Sequence, residues 1–240
     1  MYFEYVSIAE QKMLALKSIK KLEKSLKRNL DPIILPTSKL ATTWWGLMWN
    51  KNLERYATFA NRIGRGKTYV KNGFVIDLKI NLGQVNAYVQ GKRSAPYQVQ
   101  IDITTIDKKR VEKIQSLCQG KLDTIEQLME GNLPKELSDV FFLQGSGLFP
   151  EPKEIHFRCS CPDSTDCCKH VSAVFYGIGR KLDIDPSLFF TLRGLDIKDF
   201  TSKVIKNKTN DLLQKGINCK SKRIINKEDI DSIFYISLDN

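Results

Sequence analysis

The spacing of hydrophobic residues along the chain predicts helices at the N-terminus, a small sheet after them and more helices towards the C-terminus. In residues 1–30 the apolar positions recur at steps of three and four residues, and lysines occupy many of the positions between them. This period is typical of an amphipathic helix with a basic outer face. The apolar positions are Ile8, Ala15, Ile19, Leu22 and Leu26.

A second helix of the same period is predicted to begin after Thr42 or Thr43, either of which can cap it. The apolar pattern continues to Ile63, and we expect Gly64 and Gly66 to stop the helix there. Tryptophans at helical spacing bury a large area, so those of this helix are assigned to the core. They are Trp44, Trp45 and Trp49.

From residue 74 the period changes to two, which indicates strands that alternate between core and solvent. Strands are predicted near 74–80, 85–89 and 99–103, and their short connections favour an antiparallel meander of three or four strands. The polar face and its loop offer groups that can stack on bases and neutralise phosphates, with a plain exposed face as the alternative. The residues concerned are Lys79, Asn86, Tyr88, Gln90, Lys92, Arg93, Tyr97, Gln100 and Thr104.

Residues 107–143 have the pattern of short helices that break near Gly120, Gly131 and Pro134. Glycines and prolines between 145 and 152 then mark a border. These elements together predict an α+β protein. Its three parts are a basic helical and antiparallel-sheet module over 1–145, a cysteine-rich module over 146–195 and a lysine-rich tail over 196–240.

The cysteine-rich module contains the strongest chemical signal of the sequence. Four of the six cysteines lie within ten residues, and His170 follows them. Thiolates and imidazole are the ligands that zinc prefers, and four protein ligands leave no position for a catalytic water, so a structural zinc site is predicted. Cys159 and Cys161 belong to the site in every arrangement, whereas either Cys167 or Cys168 can be the third thiolate.

The pattern Cys-x-Cys, a six-residue spacer and Cys-x-His resembles the SWIM zinc finger, and residues 170–177 are similar to its helical second half. The resemblance to bacterial SWIM zinc-finger proteins of the helicase-associated type covers roughly residues 35–195, including the segments 41–46, 52–56, 66–70 and 147–150. It implies a zinc finger that binds DNA or proteins and works beside a remodeller-type helicase. The zinc ligands it implies are Cys159, Cys161, Cys168 and His170.

The net charge of +11 indicates a polyanionic partner, and most of the excess lies at one end of the chain. Residues 1–73 hold 14 basic and five acidic side chains, whereas residues 107–170 hold nine and 11. We expect these cations to contact the phosphate backbone of nucleic acid, of DNA rather than RNA. The candidate contacts are Arg55, Arg62, Arg65, Lys67, Lys92 and Arg93.

Other function classes receive little support from the sequence. There is no catalytic set, since one of the two histidines is a ligand candidate, His156 is expected to be an ordinary strand residue and no nucleophile motif occurs. No apolar run approaches the roughly 20 residues of a membrane helix, and no secretory signal or small-molecule site is evident, so a cytoplasmic protein is expected.

Two hypotheses on function follow. The first is a DNA-binding accessory factor that acts with a helicase or with repair or recombination machinery. The alternative is an adaptor whose zinc finger docks such a partner without binding nucleic acid. Binding dominated by phosphate contacts weakens steeply with salt, whereas docking through an apolar surface changes little, so salt separates the two.

Overall fold

The computed structural model describes residues 6–54, 60–119, 121, 124–163, 167–202, 213, 214 and 216. The helices are α1 (Ile8–Leu26), α2 (Trp44–Glu54), α3 (Ala60–Lys71), α4 (Lys108–Cys118), α5 (Ile125–Glu130), α6 (Lys135–Phe141), α7 (Lys169–Ile184) and α8 (Ser187–Arg193). The strands are β1 (Val75–Asn81), β2 (Gln84–Val89), β3 (Tyr97–Ile103) and β4 (Ile155–Cys159). No helix in these described ranges is both long and apolar enough to cross a membrane.

The four strands form one antiparallel sheet in the order β1-β2-β3-β4, which confirms the predicted α+β class and the meander. β4 comes from the cysteine-rich module and pairs with β3, so that Val99 lies opposite Cys159. His156 is an exposed residue of this strand. One face of the sheet is apolar and buried, and the other carries polar side chains.

Helix α7 lies at the centre of the core. It packs on the apolar face of the sheet with one side and on α2 and α3 with the other. Its apolar positions are buried, and, as predicted, Trp45 and Trp49 of α2 are fully buried as well. The indole of Trp49 donates a hydrogen bond to the carbonyl oxygen of Phe175, 2.9 Å away, which fixes α2 against α7. The site described below is built around the N-terminus of this helix.

The predicted stop at Gly64 and Gly66 is wrong, because both glycines lie inside α3, which continues to Lys71. A Cβ atom added at Gly66 would lie 2.5 Å from the Cβ of Ser172, so this glycine lets α3 and α7 cross at close range. Gly64 is exposed, and a Cβ added there would meet no described atom within 4 Å. The connection between α2 and α3, 55–59, lies outside the described residues.

Helix α2 begins at a cap supplied from the far end of α7. The carboxylate of Asp183 accepts hydrogen bonds from the backbone N–H of Thr42 at 2.7 Å and of Thr43 at 3.0 Å. The hydroxyl of Thr43 contacts the N–H of Gly46, which agrees with its predicted role as a cap. Asp183 belongs to the last turn of α7, which ends at Ile184.

The outer edge of β1 is covered by the segment that follows α1. The N–H of Ile33 donates to the carbonyl of Val75, and the N–H of Leu78 donates to the carbonyl of Asp31, at 3.0 and 3.1 Å. Arg28 makes a two-pronged ion pair with the buried carboxylate of Asp77, at 3.1 and 2.6 Å. These contacts attach α1 and its connection to the sheet.

Candidate metal centre

The four predicted ligands come from the end of β4 and the start of α7. Cys159 is the last residue of β4 and Cys161 follows two residues later, while Cys168 caps the N-terminus of α7 and His170 lies in its first turn. Ser160, between the first two cysteines, donates its N–H to the carbonyl of Gln98 at 3.0 Å. The ligand loop is therefore held to β3 by backbone pairing beyond the end of the strand.

The geometry of this group fits a four-coordinate metal ion. The ligand atoms of Cys159, Cys161, Cys168 and His170 all lie within 4.8 Å of one another. Nδ1 of His170 is 3.9 Å from Sγ of Cys159 and 3.7 Å from Sγ of Cys168. A tetrahedral zinc ion would separate such sulfur and nitrogen ligands by about 3.5 Å, so the pocket needs only a small contraction around an ion.

The neighbouring thiol of Cys167 lies outside the group. Its side chain is buried, and its Sγ lies 3.3 Å from the hydroxyl of Ser172, one turn along α7. Adjacent residues at a helix start point in different directions, so only one of the two can face the ligand loop. The sequence allowed either thiol as the third sulfur ligand, and the geometry places Cys168 with the other ligands.

The electrostatics of the thiols favour one negative charge in the group. A hydrogen bond from the Cys159 thiol, helped by His170 and the N–H of Val171, lowers the pKa of Cys168 to about 4. The same hydrogen bond raises the pKa of Cys159, and burial raises that of Cys161. A thiolate at the N-terminus of α7 is also stabilised by the helix dipole. The lowered pKa of Cys168 favours the thiolate form, which is the form of cysteine that binds a metal cation.

The imidazole of His170 is held by aromatic rings. Its centroid lies 4.4 Å from that of Tyr97 in β3 and 5.4 Å from that of Tyr69 in α3. Its Nε2 is buried and meets no hydrogen-bond partner among the described residues, whereas Nδ1 faces the thiols. Nδ1 is therefore the ligand atom. Sequence reasoning did not identify either tyrosine as a neighbour of the site, because both come from other elements.

Two of the three predicted cations of α3 are engaged within the protein. Arg62 forms an ion pair with Asp163 of the ligand loop at 3.0 Å. Lys67 lies 2.7 Å from the carboxylate of Glu54 and above the ring of Tyr176. Arg65 is exposed, and Arg55 lies outside the described residues. Two of the four predicted phosphate contacts in this region thus already have carboxylate partners.

The other two predicted cations lie in the loop between β2 and β3. The guanidinium of Arg93 is 6.0 Å from the centroid of Tyr97, the ring that packs on His170. Lys92 precedes it and is exposed. The predicted face residue Gln90 is fully buried instead, where its amide bonds the carbonyls of Gly91 and Arg93. This amide shapes the loop and cannot reach a ligand.

Comparison with known proteins finds a similar protein but gives no functional assignment. The chain is similar to the uncharacterized protein Rv2102 of Mycobacterium tuberculosis, with 33% identity over 166 residues. The match covers 69% of this chain and 60% of the relative, so the chain spans less than two thirds of the relative's length. No protein-family model matches the chain, and no solved structure matches it. The resemblance to SWIM zinc fingers therefore remains a prediction that rests on the residues themselves.

Proposed function

We propose that this chain is a SWIM-type zinc protein that binds DNA as an accessory factor of a helicase or of repair or recombination machinery. The observation that carries the proposal is the Cys3His group, whose four ligand atoms lie within 4.8 Å of one another at the N-terminus of the central helix. This position suits a structural ion, because the ion would tie β4 to α7 and so complete the core.

Zinc is the ion that fits this ligand set best. Three sulfurs and one imidazole nitrogen in a tetrahedral arrangement are typical of structural zinc sites, whereas calcium and magnesium require oxygen ligands. With four protein ligands the ion keeps no open position for a water or a substrate. The centre therefore organises the fold and takes no part in a reaction.

The charge distribution supports nucleic acid as the partner. The five lysines of α1 form no ion pair with a described carboxylate, and they stand on an exposed helix in a chain of net charge +11. Cations without partners in the protein are available to phosphate groups. DNA binding through these cations needs no catalytic residue, which agrees with the absence of a catalytic set in the sequence.

The adaptor is the second candidate, and the exposed apolar side chains favour α1, rather than the zinc finger of the sequence-based hypothesis, as its docking surface. Ile8, Met13 and Leu16 are 52%, 58% and 56% exposed. Single exposed apolar residues are common, but three on one helix suit a contact with another protein. Such a contact would be insensitive to salt, so the experiment that tests DNA binding also tests this candidate.

The experiment combines metal analysis with a binding assay at several salt concentrations. We expect one zinc per chain, lost in Cys161→Ser and retained in the matched control Cys167→Ser. We also expect labelled DNA to bind with an affinity that falls linearly on a plot of log affinity against log salt concentration. If the zinc-loaded protein does not bind DNA, the DNA-binding proposal is wrong and the adaptor is favoured. If the chain takes up no zinc, the proposed zinc site is wrong.

A further inference from the structure

We infer that the polar face of the sheet, together with α1, forms a binding trough for single-stranded DNA. The inference rests on the proposed function, from which DNA is taken as the polymer, and it adds the place of binding and the form of the strand. Of the six cations predicted from the sequence, the five that the structure describes line neither part of this trough. It is defined by two hollows that share Tyr88 and Gln98.

The first hollow lies between α1 and the sheet and encloses about 410 Å³. Lys21, Ser25 and Leu26 of α1 line one wall, and residues 94–96 of the β2–β3 loop line the other. The second hollow is open, has a volume of about 630 Å³ and crosses β2, β3 and β4 as far as Cys159 and Ser160. Tyr88 and Gln98 face each other across β2 and β3, so the two hollows form one trough.

The floor of the trough carries amides in fixed positions. Asn86 donates to Gln84, which donates to Asp102, and Gln100 donates to the same carboxylate, with distances of 2.7, 2.8 and 2.8 Å. Arg158 pairs with this carboxylate from β4 at 2.7 Å. Among the described residues, the side-chain oxygens of Asn86 and Gln100 have no donor. Amides held in this way can bond the edges of bases, which offer both donors and acceptors.

The charges are arranged for a polyanion that lies along α1. Asp163 lines the second hollow and pairs with Arg62. Asp102 lines neither hollow but accepts a hydrogen bond from Gln100, and it pairs with Arg158. Lys17, Lys21 and Lys24 follow the i, i+4, i+7 spacing, so they share one side of α1 beside the trough, and all three are exposed. Positive charge at the wall and neutral amides on the floor fit a strand with its phosphates at α1 and its bases on the sheet.

The position of Tyr88 favours binding of single-stranded DNA over a duplex. Its ring is partly exposed where the two hollows meet, and an aromatic ring on a sheet face stacks on a base whose own face is free. In a duplex the faces of the bases are covered by their neighbours, so a duplex can offer only its phosphates to α1. The trough therefore distinguishes the two forms of DNA.

The test uses fluorescence anisotropy with the full chain loaded with zinc and labelled strands of about 15 nucleotides, within the range of sites that such surfaces cover. Tyr88→Ala should weaken binding of single-stranded DNA by about 5-fold to 100-fold, because a stacked base is lost. Tyr88→Phe keeps the ring and should bind within about threefold of wild type. Lys21→Gln should lower the salt slope by about 0.7, whereas Lys109→Gln, on α4 and outside both hollows, should leave it unchanged.

The outcomes separate this inference from the proposed function. If wild type binds DNA but Tyr88→Ala and Lys21→Gln bind equally well, the trough is wrong and the proposed function stands. If wild type prefers a duplex of the same sequence, the assignment to a single strand is overturned, and a preference for the matching RNA overturns the choice of DNA. If the wild-type protein binds no nucleic acid, both the trough and the proposed DNA-binding function are overturned. Zinc content and melting temperature show whether each variant is folded.

Discussion

The two basic helices α1 and α3 look alike in the sequence but differ in how they use their charge. Helix α3 is fixed against α7 through Gly66, and its Arg62 and Lys67 pair with carboxylates. Helix α1 buries only Gln11, Ala15 and Ser18 and is attached largely by hydrogen bonds to Gln90 and Ser94.

This difference shows that a count of cations does not locate a binding surface. The carboxylates that neutralise α3 are Asp163, about 100 positions later in the chain, and Glu54 on another helix. Their effect on the surface appears only after folding. The five lysines of α1, which the sequence presents only as part of a general positive charge, form no ion pair with a described carboxylate.

Loss of a metal ligand should have the largest effect on stability, and it should affect α3 more than α1. We expect Cys161→Ser to lose the metal and to lower the melting temperature by about 10 °C or more, since structural zinc contributes on the order of 10 kcal/mol to folding. Hydrogen exchange should rise in α3 before α1, because α3 contacts the ligand loop through Arg62 and Asp163. A variant that keeps its metal and melts like Cys167→Ser would contradict the assignment of the centre.

The glycines of α3 provide a matched pair for its packing on α7. Gly66→Ala should cost about 1–3 kcal/mol of unfolding free energy, because the new Cβ would collide with Ser172. Gly64→Ala meets no described atom and should stabilise the protein by up to about 1 kcal/mol, since alanine favours the helix. Urea unfolding of both variants measures these differences. Equal effects of the two substitutions would show that α3 does not cross α7 at Gly66.

Removal of single cations should affect stability in α3 and leave it unchanged in α1. Arg62→Gln breaks a partly buried ion pair and should cost up to about 1 kcal/mol. Lys17→Gln removes an exposed lysine from α1 and should change the free energy of unfolding by less than about 0.5 kcal/mol. The comparison is made at low salt, where exposed charges are least screened. A destabilised Lys17→Gln would mean that α1 also uses its charge internally.

The smallest effect on stability is expected from protonation of Glu54 at low pH. Burial alone would raise the pKa of Glu54, but hydrogen bonds from Lys67 and Tyr176 outweigh it and lower this pKa. The resulting stabilisation is fully present above the pKa of an unfolded glutamate, about 4.3, and is lost as pH falls through the lower folded pKa. It should be below about 1 kcal/mol because the side chain is 45% exposed. The stability difference between wild type and Glu54→Gln should shrink on acidification, and a constant difference from pH 6 to 3 would refute the pairing with Lys67.

The sequence predicted the features that depend on local spacing. Helix α1, the strands of the meander and the short middle helices all follow from the period of apolar residues. The ligand group was also predictable, because Cys159, Cys161 and His170 lie within 12 positions of one another. The choice between Cys167 and Cys168 needed the structure, since it depends on the residue at which α7 begins.

The features that sequence reasoning missed depend on contacts between distant segments. Gly66 was interpreted as a helix stop because the close approach of α7 cannot be seen in its own neighbours. The alternation of polar and apolar residues placed Gln90 on the exposed face of the sheet. In the structure, α1 covers this residue, and the hydroxyl of Ser18 donates a hydrogen bond to its amide oxygen. The trough was missed for the same reason, since its wall belongs to α1 and its floor to the sheet.

The cap that Asp183 provides for α2 has a consequence for the order of folding. Thr42 leaves the ribosome 141 residues before the carboxylate that completes its hydrogen bonds, and the helix that covers the sheet is made equally late. Contacts of such sequence separation slow folding and leave apolar surface open in the meantime. During synthesis, α2, α3 and the first three strands must therefore wait for α7, and the nascent chain is most exposed to aggregation just before the cysteine-rich module emerges.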